Sequence, residues 1–251
     1  MTFTVARLEL KRWFASALGW GLMAASAVLL AWWFLAFVDA FVEAAPELVG
    51  RANAPGVTDL VVAPFFASVA SALLVLAPLV GMRSFASEHS AQRLPWLLAS
   101  RARAQHLVFG KWLAVWAVLG SILLLALAMT LSLYAGTTLD LGKLLVGFGG
   151  LLLLAGALAA LAVLASAQTD HAPTAAAVAL GAGVLLWLAD AGARARGELD
   201  GLINYLALPT HLQPFLRGVF DSTAMAYFVL LTLALLALAV LRVARLRRAA
   251  R

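Results

Sequence analysis

Apolar residues fall in long uninterrupted blocks along this chain rather than at the period of an amphipathic helix or strand. Six blocks stand out, at about 16–38, 60–82, 107–134, 143–167, 174–189 and 224–241. A hydrocarbon core of ~30 Å takes roughly 20 residues of helix to cross. With no water to satisfy backbone groups there, an isolated block must be helical. The pattern predicts an all-α membrane protein of six transmembrane helices, forming a single domain over 1–251.

The polar interruptions add detail. Residues 1–13 are amphipathic, with Arg7, Lys11 and Arg12 beside Phe3, Leu8, Leu10 and Trp13. They predict a short interfacial helix leading into the bilayer. The run that follows is too long for the apolar core of a cleavable signal peptide. Trp32 and Trp33 suit an aromatic belt, and 39–59 reads as a polar loop. Pro64 and Pro78 fall inside the second block and predict a bent or broken helix. The fourth block carries Gly147, Gly149, Gly150 and Gly156, and Gly156 with Ala160 is a weak match to the small-xxx-small pattern of closely packed spans. Asp190 is expected to cap the fifth helix. The extramembrane segment 190–223 holds a semi-apolar run broken at Pro209 and Pro214, predicting interfacial helices packed on the fifth and sixth spans.

One stretch between the second and third blocks is different. Residues 83–111 read RSFASEHSAQRLPWLLASRARAQHLVFGK. Five basic residues, Arg83, Arg93, Arg101, Arg103 and Lys111, surround a single acid, Glu88. Trp96, Leu97 and Leu98 follow Pro95, which divides the stretch into two short helices. The segment 83–106 reads as an amphipathic helical element at a membrane surface, with Lys111 snorkelling outward from the third span. A plain solvated loop whose charges only set topology is the competing reading.

Charge placement orients the chain. If both termini lie on one side, that side collects Arg7, Lys11 and Arg12, the five basic residues of 83–111 and the five arginines of the tail. These are thirteen of the 18 Lys and Arg. Basic residues concentrate on the cytoplasmic side, so both termini and 83–106 are expected inside and 190–223 outside. With six spans, this makes a multi-pass protein of a bacterial cytoplasmic membrane.

Composition agrees: 64% of residues are hydrophobic and 12% charged, against about 25% charged in a soluble domain. The net charge of +6 is not a nucleic-acid signal. The absence of cysteine removes disulfides, thiolate metal sites and Cys nucleophiles. His89, His106, His171 and His211 have no ligand spacing, and surface or structural roles are their default. Gly110-Lys111 is followed by Trp112, so there is no phosphate-binding loop. Neither G-x-S-x-G nor H-E-x-x-H occurs. The blocks hold almost no ionisable residue, which disfavours a proton-coupled carrier, and no His or Lys lies at the depth of the intramembrane serines. What is left is a chemically bland body suited to being driven by a separate motor, with no cofactor of its own.

At 83–111 the chain resembles the permease subunits of type-2 ATP-binding cassette exporters. That family carries a basic residue, a Glu, a Leu-rich run and a Gly-Lys at these relative places. Here they are Arg83, Glu88, Leu94-Pro95-Trp96-Leu97-Leu98-Ala99-Ser100 and Gly110-Lys111. The family's small-residue-plus-Thr motif is replaced by Ser90-Ala91-Gln92-Arg93, and its closing Ser-Pro by Ser100-Arg101. A second match, Tyr205-Leu206, His211-Leu212-Gln213-Pro214-Phe215 and Arg217-Gly218-Val219-Phe220-Asp221, resembles the gliding-motility branch. The resemblance implies a transport subunit that is not itself an enzyme. Its partners would be a cytoplasmic ATPase dimer holding ATP and Mg²⁺, a second permease copy or paralogue, membrane lipids and an envelope accessory protein. Arg83, Glu88, Arg93, Trp96 and Leu97 would form the helix coupling it to the ATPase, and the outer helices would close the pathway on the far side. A non-transporting membrane scaffold or assembly factor is the alternative.

Overall fold

The computed structural model describes residues 1–48, 56–86, 103–196 and 205–249. Helices make up almost all of them, and no strand occurs among the described residues. Chain order is α1 (Thr2–Phe14), α2 (Ala17–Leu48), a π-turn (Thr58–Val62) leading into α3 (Ala63–Gly81), α4 (Ala104–Ser132), α5 (Leu141–Gln168), α6 (Ala172–Arg196), α7 (Leu208–Leu216) and α8 (Ser222–Ala249). Six are long and apolar enough to cross a membrane: Ala17–Pro46, Thr58–Gly81, Ala104–Ala135, Leu141–Gln168, Ala172–Ala189 and Ser222–Arg248. They match the six blocks. The chain is a multi-pass membrane protein, helical throughout its described spans.

The helices run past the apolar blocks. α2 continues through Asp39 and Glu43 and holds Pro46 inside it, where a loop is expected from sequence. α6 does not end at Asp190 but reaches Arg196, and α8 carries the arginines at 242, 245, 247 and 248. Charged residues are adequate helix formers, so a helix ends where caps and prolines end it, not where hydropathy falls. Pro64 lacks the N–H that a regular turn needs, and the chain there widens into the π-turn before α3 begins. Pro78 lies within α3, which is not broken there but runs on to Gly81.

α5 is the centre. Of its apolar window 72% is buried, against 17% for α2 and for α6. α8, α3 and α4 pack against it, and α6 and α7 cover its remaining flank. The core is aliphatic and aromatic, built on Leu151, Leu154, Phe65, Phe66 and Phe228. Alternation of six spans brings α1, the end of α3, the start of α4 and the end of α8 to one end of the bundle. The π-turn, the start of α5 and α7 lie at the other.

The second end corrects the expectation for 190–223. α7 docks chiefly on α5, the fourth span, and less on α6 and α8. Pro209 starts this helix instead of breaking it, and Pro214 sits inside it. The cause is the glycine cluster of α5. A Cβ on Gly150 would lie 2.5 Å from the Phe215 Cβ, and one on Gly147 would lie 3.0 Å from the Phe66 ring. Gly150 thus forms a seat for the Phe215 side chain of α7, while Gly147 admits the Phe66 ring of the neighbouring span α3. Gly218, just after α7, holds φ +78°, with the Lys143 side chain where a Cβ would stand.

Candidate functional site

The richest polar cluster among the described residues gathers where α1, the end of α3 and the start of α4 meet. It begins with three contacts along α1. Thr2 Oγ1 lies 2.9 Å from His106 Nδ1. Val5 closes on Gly110, where a Cβ would stand 2.7 Å from the Val5 Cβ. Glu9 Oε1 accepts from Lys111 Nζ at 2.7 Å. Positions 2, 5 and 9 share one helical face, so α1 is laid along α4 by its own periodicity. Its interfacial character is split: Phe3 and Leu8 are exposed, while Leu10 and Trp13 pack on the core.

Lys111 is 2% exposed. This corrects the snorkelling expectation: the ammonium points inward. It donates to the Ser84 carbonyl as well as to Glu9 and sits 4.9 Å from the centre of the Phe85 ring. A buried ammonium is tolerated only where an opposite charge and hydrogen bonds replace its water, and here one cation ties three elements together. Gly110 admits α1, and Lys111 then binds it. The Gly-Lys pair singled out from the sequence therefore has a local physical role. A space of about 50 Å³, enough for a water, lies beside the ammonium between Val80, Arg83 and Val115.

The other side of the α3 terminus is fixed to α5. A Cβ on Gly81 would lie 2.5 Å from that of Ala162, so α3 and α5 touch closely there. One turn further along α5, Ser166 donates to the Met82 carbonyl at 3.0 Å. It accepts from the amides of Phe85 at 2.9 Å and Ala86 at 3.0 Å. Backbone groups left over at a helix end need partners, and here one buried hydroxyl serves three of them. Residues 82–86 are thus held by Ser166 on one side and Lys111 on the other.

Of the five expected coupling residues, Arg83 is described. It is exposed and lines an open cavity of about 290 Å³ with Arg12, Trp13 and Ser16. Glu88, Arg93, Trp96 and Leu97 lie outside the described residues. Sequence reasoning missed Glu9, Ser84 and Ser166. Glu9 did carry a signal, as the one acid in the basic N-terminal helix. Ser84 acts through its carbonyl, which any residue supplies, and Ser166 sits in a run of alanines with nothing to mark it.

No group of three or more potential metal ligands occurs among the described residues. Compared with known proteins, the chain matches no family model and no curated sequence.

Proposed function

We propose that this chain is the membrane-spanning subunit of an ATP-binding cassette exporter of the type-2 class, acting on an envelope substrate with energy from a separate ATPase subunit. Both termini and 83–106 face the cytoplasm, because thirteen of the 18 Lys and Arg fall on that side. ATP and Mg²⁺ belong to the partner. The order and spacing of Arg83, Glu88, the Leu-rich run and Gly110-Lys111 support this function. So does the observation that carries it furthest, the double anchorage at the root of the basic segment. The chain entering 87–102 is bonded to α5 through Ser166, and the chain leaving it is bonded to α1 and to Ser84 through Lys111. A load applied to that segment by a cytoplasmic partner reaches the most buried span through short polar bonds. A topogenic loop has no need of such a root.

In the proposed complex Glu88 docks against a basic or amide group of the ATPase, and Trp96 and Leu97 supply the apolar anchor, as large aromatics do at interface centres. The test is purification of the tagged chain from its own host's membranes in mild detergent. An ATPase subunit should accompany the wild type, and E88A and W96A should reach the membrane normally while retaining much less of it. Wild-type retention in both variants, or a chain that purifies with envelope proteins and no ATPase, would favour the scaffold alternative.

A further inference from the structure

Two features on the α4–α8 seam face the same kind of ligand. At the α1 end, Arg103, Arg247 and Arg248 converge with Ala104 and Ala244 around a cavity of about 290 Å³, and no acid lines it among the described residues. Three guanidinium groups share this space, and the exposed Arg103 and Arg248 each present a donor fork that suits phosphate. Deeper along the same two helices runs an apolar groove of about 220 Å³. Phe109, Trp112 and Trp116 of α4 and Leu233 and Leu236 of α8 wall it, and Gly156 of α5 lies at its floor. Phe109 and Leu233 are exposed.

The groove is dry by construction. Trp112 Nε1 donates to the Gly156 carbonyl at 2.9 Å and Trp116 Nε1 to the Leu152 carbonyl at 3.0 Å. The two indole rings stack at 5.5 Å with 5° between their planes. Their polar atoms are spent on the floor, and the hydroxyl of Thr232, which also lines the groove, donates to the Phe228 carbonyl at 2.7 Å, so the walls offer chiefly apolar surface. Val229, Leu233, Leu236 and Arg247 share one face of α8, and Leu236 lies eleven residues, or about 16 Å, from Arg247. That depth matches half of a ~30 Å hydrocarbon core, the thickness of one leaflet's chains.

We infer that the α4–α8 seam is a binding site for a single anionic phospholipid, its phosphate among Arg103, Arg247 and Arg248 and one acyl chain along the Trp112–Trp116 groove. Basic pockets between spans bind acidic headgroups by the same charge logic. The site stands independently of the permease assignment.

Native mass spectrometry of the full chain in detergent tests it, with added phosphatidylglycerol or phosphatidylcholine of identical acyl chains. The wild type should retain phosphatidylglycerol preferentially. R248Q should weaken retention on the order of fivefold and R103Q/R247Q/R248Q on the order of a hundredfold, from the usual contribution of each basic residue at an anionic surface. K11Q/R242Q/R245Q removes the same charge elsewhere and should retain the lipid as the wild type does. G156L fills the groove floor and should lower retention with all three arginines intact. Each variant is scored only as the monodisperse species seen for the wild type. Equal retention of the two lipids, or equal losses in the two triple variants, would overturn the site. Displacement of the lipid by soluble glycerol 3-phosphate would show a simple anion pocket and overturn the acyl-chain half.

Discussion

The two ends of the bundle are joined by different physics. At the α1 end the ties are polar and buried: Lys111 with Glu9 and the Ser84 carbonyl, and Ser166 with three backbone groups. At the α7 end they are aromatic and steric. Phe215 sits on Gly150, and His211 stacks on Tyr227 with ring centres 3.9 Å apart. His211 Nε2–H donates to the Tyr205 carbonyl at 2.8 Å, and Tyr227 donates to the Leu206 carbonyl at 2.7 Å. The ion pair at this end, Lys143 with Asp59 at 2.7 Å, is solvent-exposed. Buried polar bonds fail abruptly when one partner is lost, whereas stacked surfaces give way gradually. A junction that must hold one geometry under load is better built the first way, and a cover that must seat on a span the second.

The largest effect should come from Lys111→Met. It removes a buried ammonium and leaves the partly exposed Glu9 with Arg12 at 3.6 Å as its remaining partner, so the cost lies at the lower end, about 3 kcal/mol, of that for breaking a buried pair. The unfolding midpoint in detergent should fall steeply, and E9Q/K111M should recover much of it, because both charges are then gone. A double variant no better than K111M would mean that Glu9 is not the partner that matters.

Next is Ser166→Ala. It leaves the Phe85 and Ala86 amides without their acceptor in a buried place, where an unsatisfied group costs ~1–3 kcal/mol. Limited proteolysis should then cut near 82–86 before any other described region. Gly150→Ala should act at the opposite end with a similar size. An added methyl against Phe215 overpacks the seat at ~1–3 kcal/mol, and hydrogen exchange should rise in 208–216 while 82–86 stays protected. Exchange rising equally at both ends would erase the distinction between them. The smallest effect belongs to Lys143→Ala, because exposed pairs contribute little. Its melting curve should overlay that of the wild type.

The spans were readable because their apolar runs are long enough to admit one interpretation. Their ends were not. Hydropathy drops at Asp39 and Asp190, but the helices continue to Leu48 and Arg196, since backbone bonding does not stop at a charge. Lys111 was misjudged for a related reason. A lysine near a span end is ordinarily taken outward by its long stem, and its partner Glu9 is 102 positions away. Only the fold brings them together. The glycines of α5 were legible as close-contact positions but not as the seat of Phe215, because an intervening helix cannot be read from the span that receives it. Glu9 is the instructive miss: a lone acid among basic residues marks it just as it marks Glu88.

The central claim is that the Lys111 junction transmits load between the basic segment and the span core. The most direct measurement is ATP turnover of the proposed complex with an ATPase subunit, purified and reconstituted with K111M, below the variant's unfolding temperature, alongside the amount of ATPase bound. The expected result is wild-type ATPase binding with turnover no longer stimulated by the membrane subunit, and partial return of that stimulation in E9Q/K111M. Wild-type binding together with fully wild-type stimulated turnover in K111M would contradict the claim.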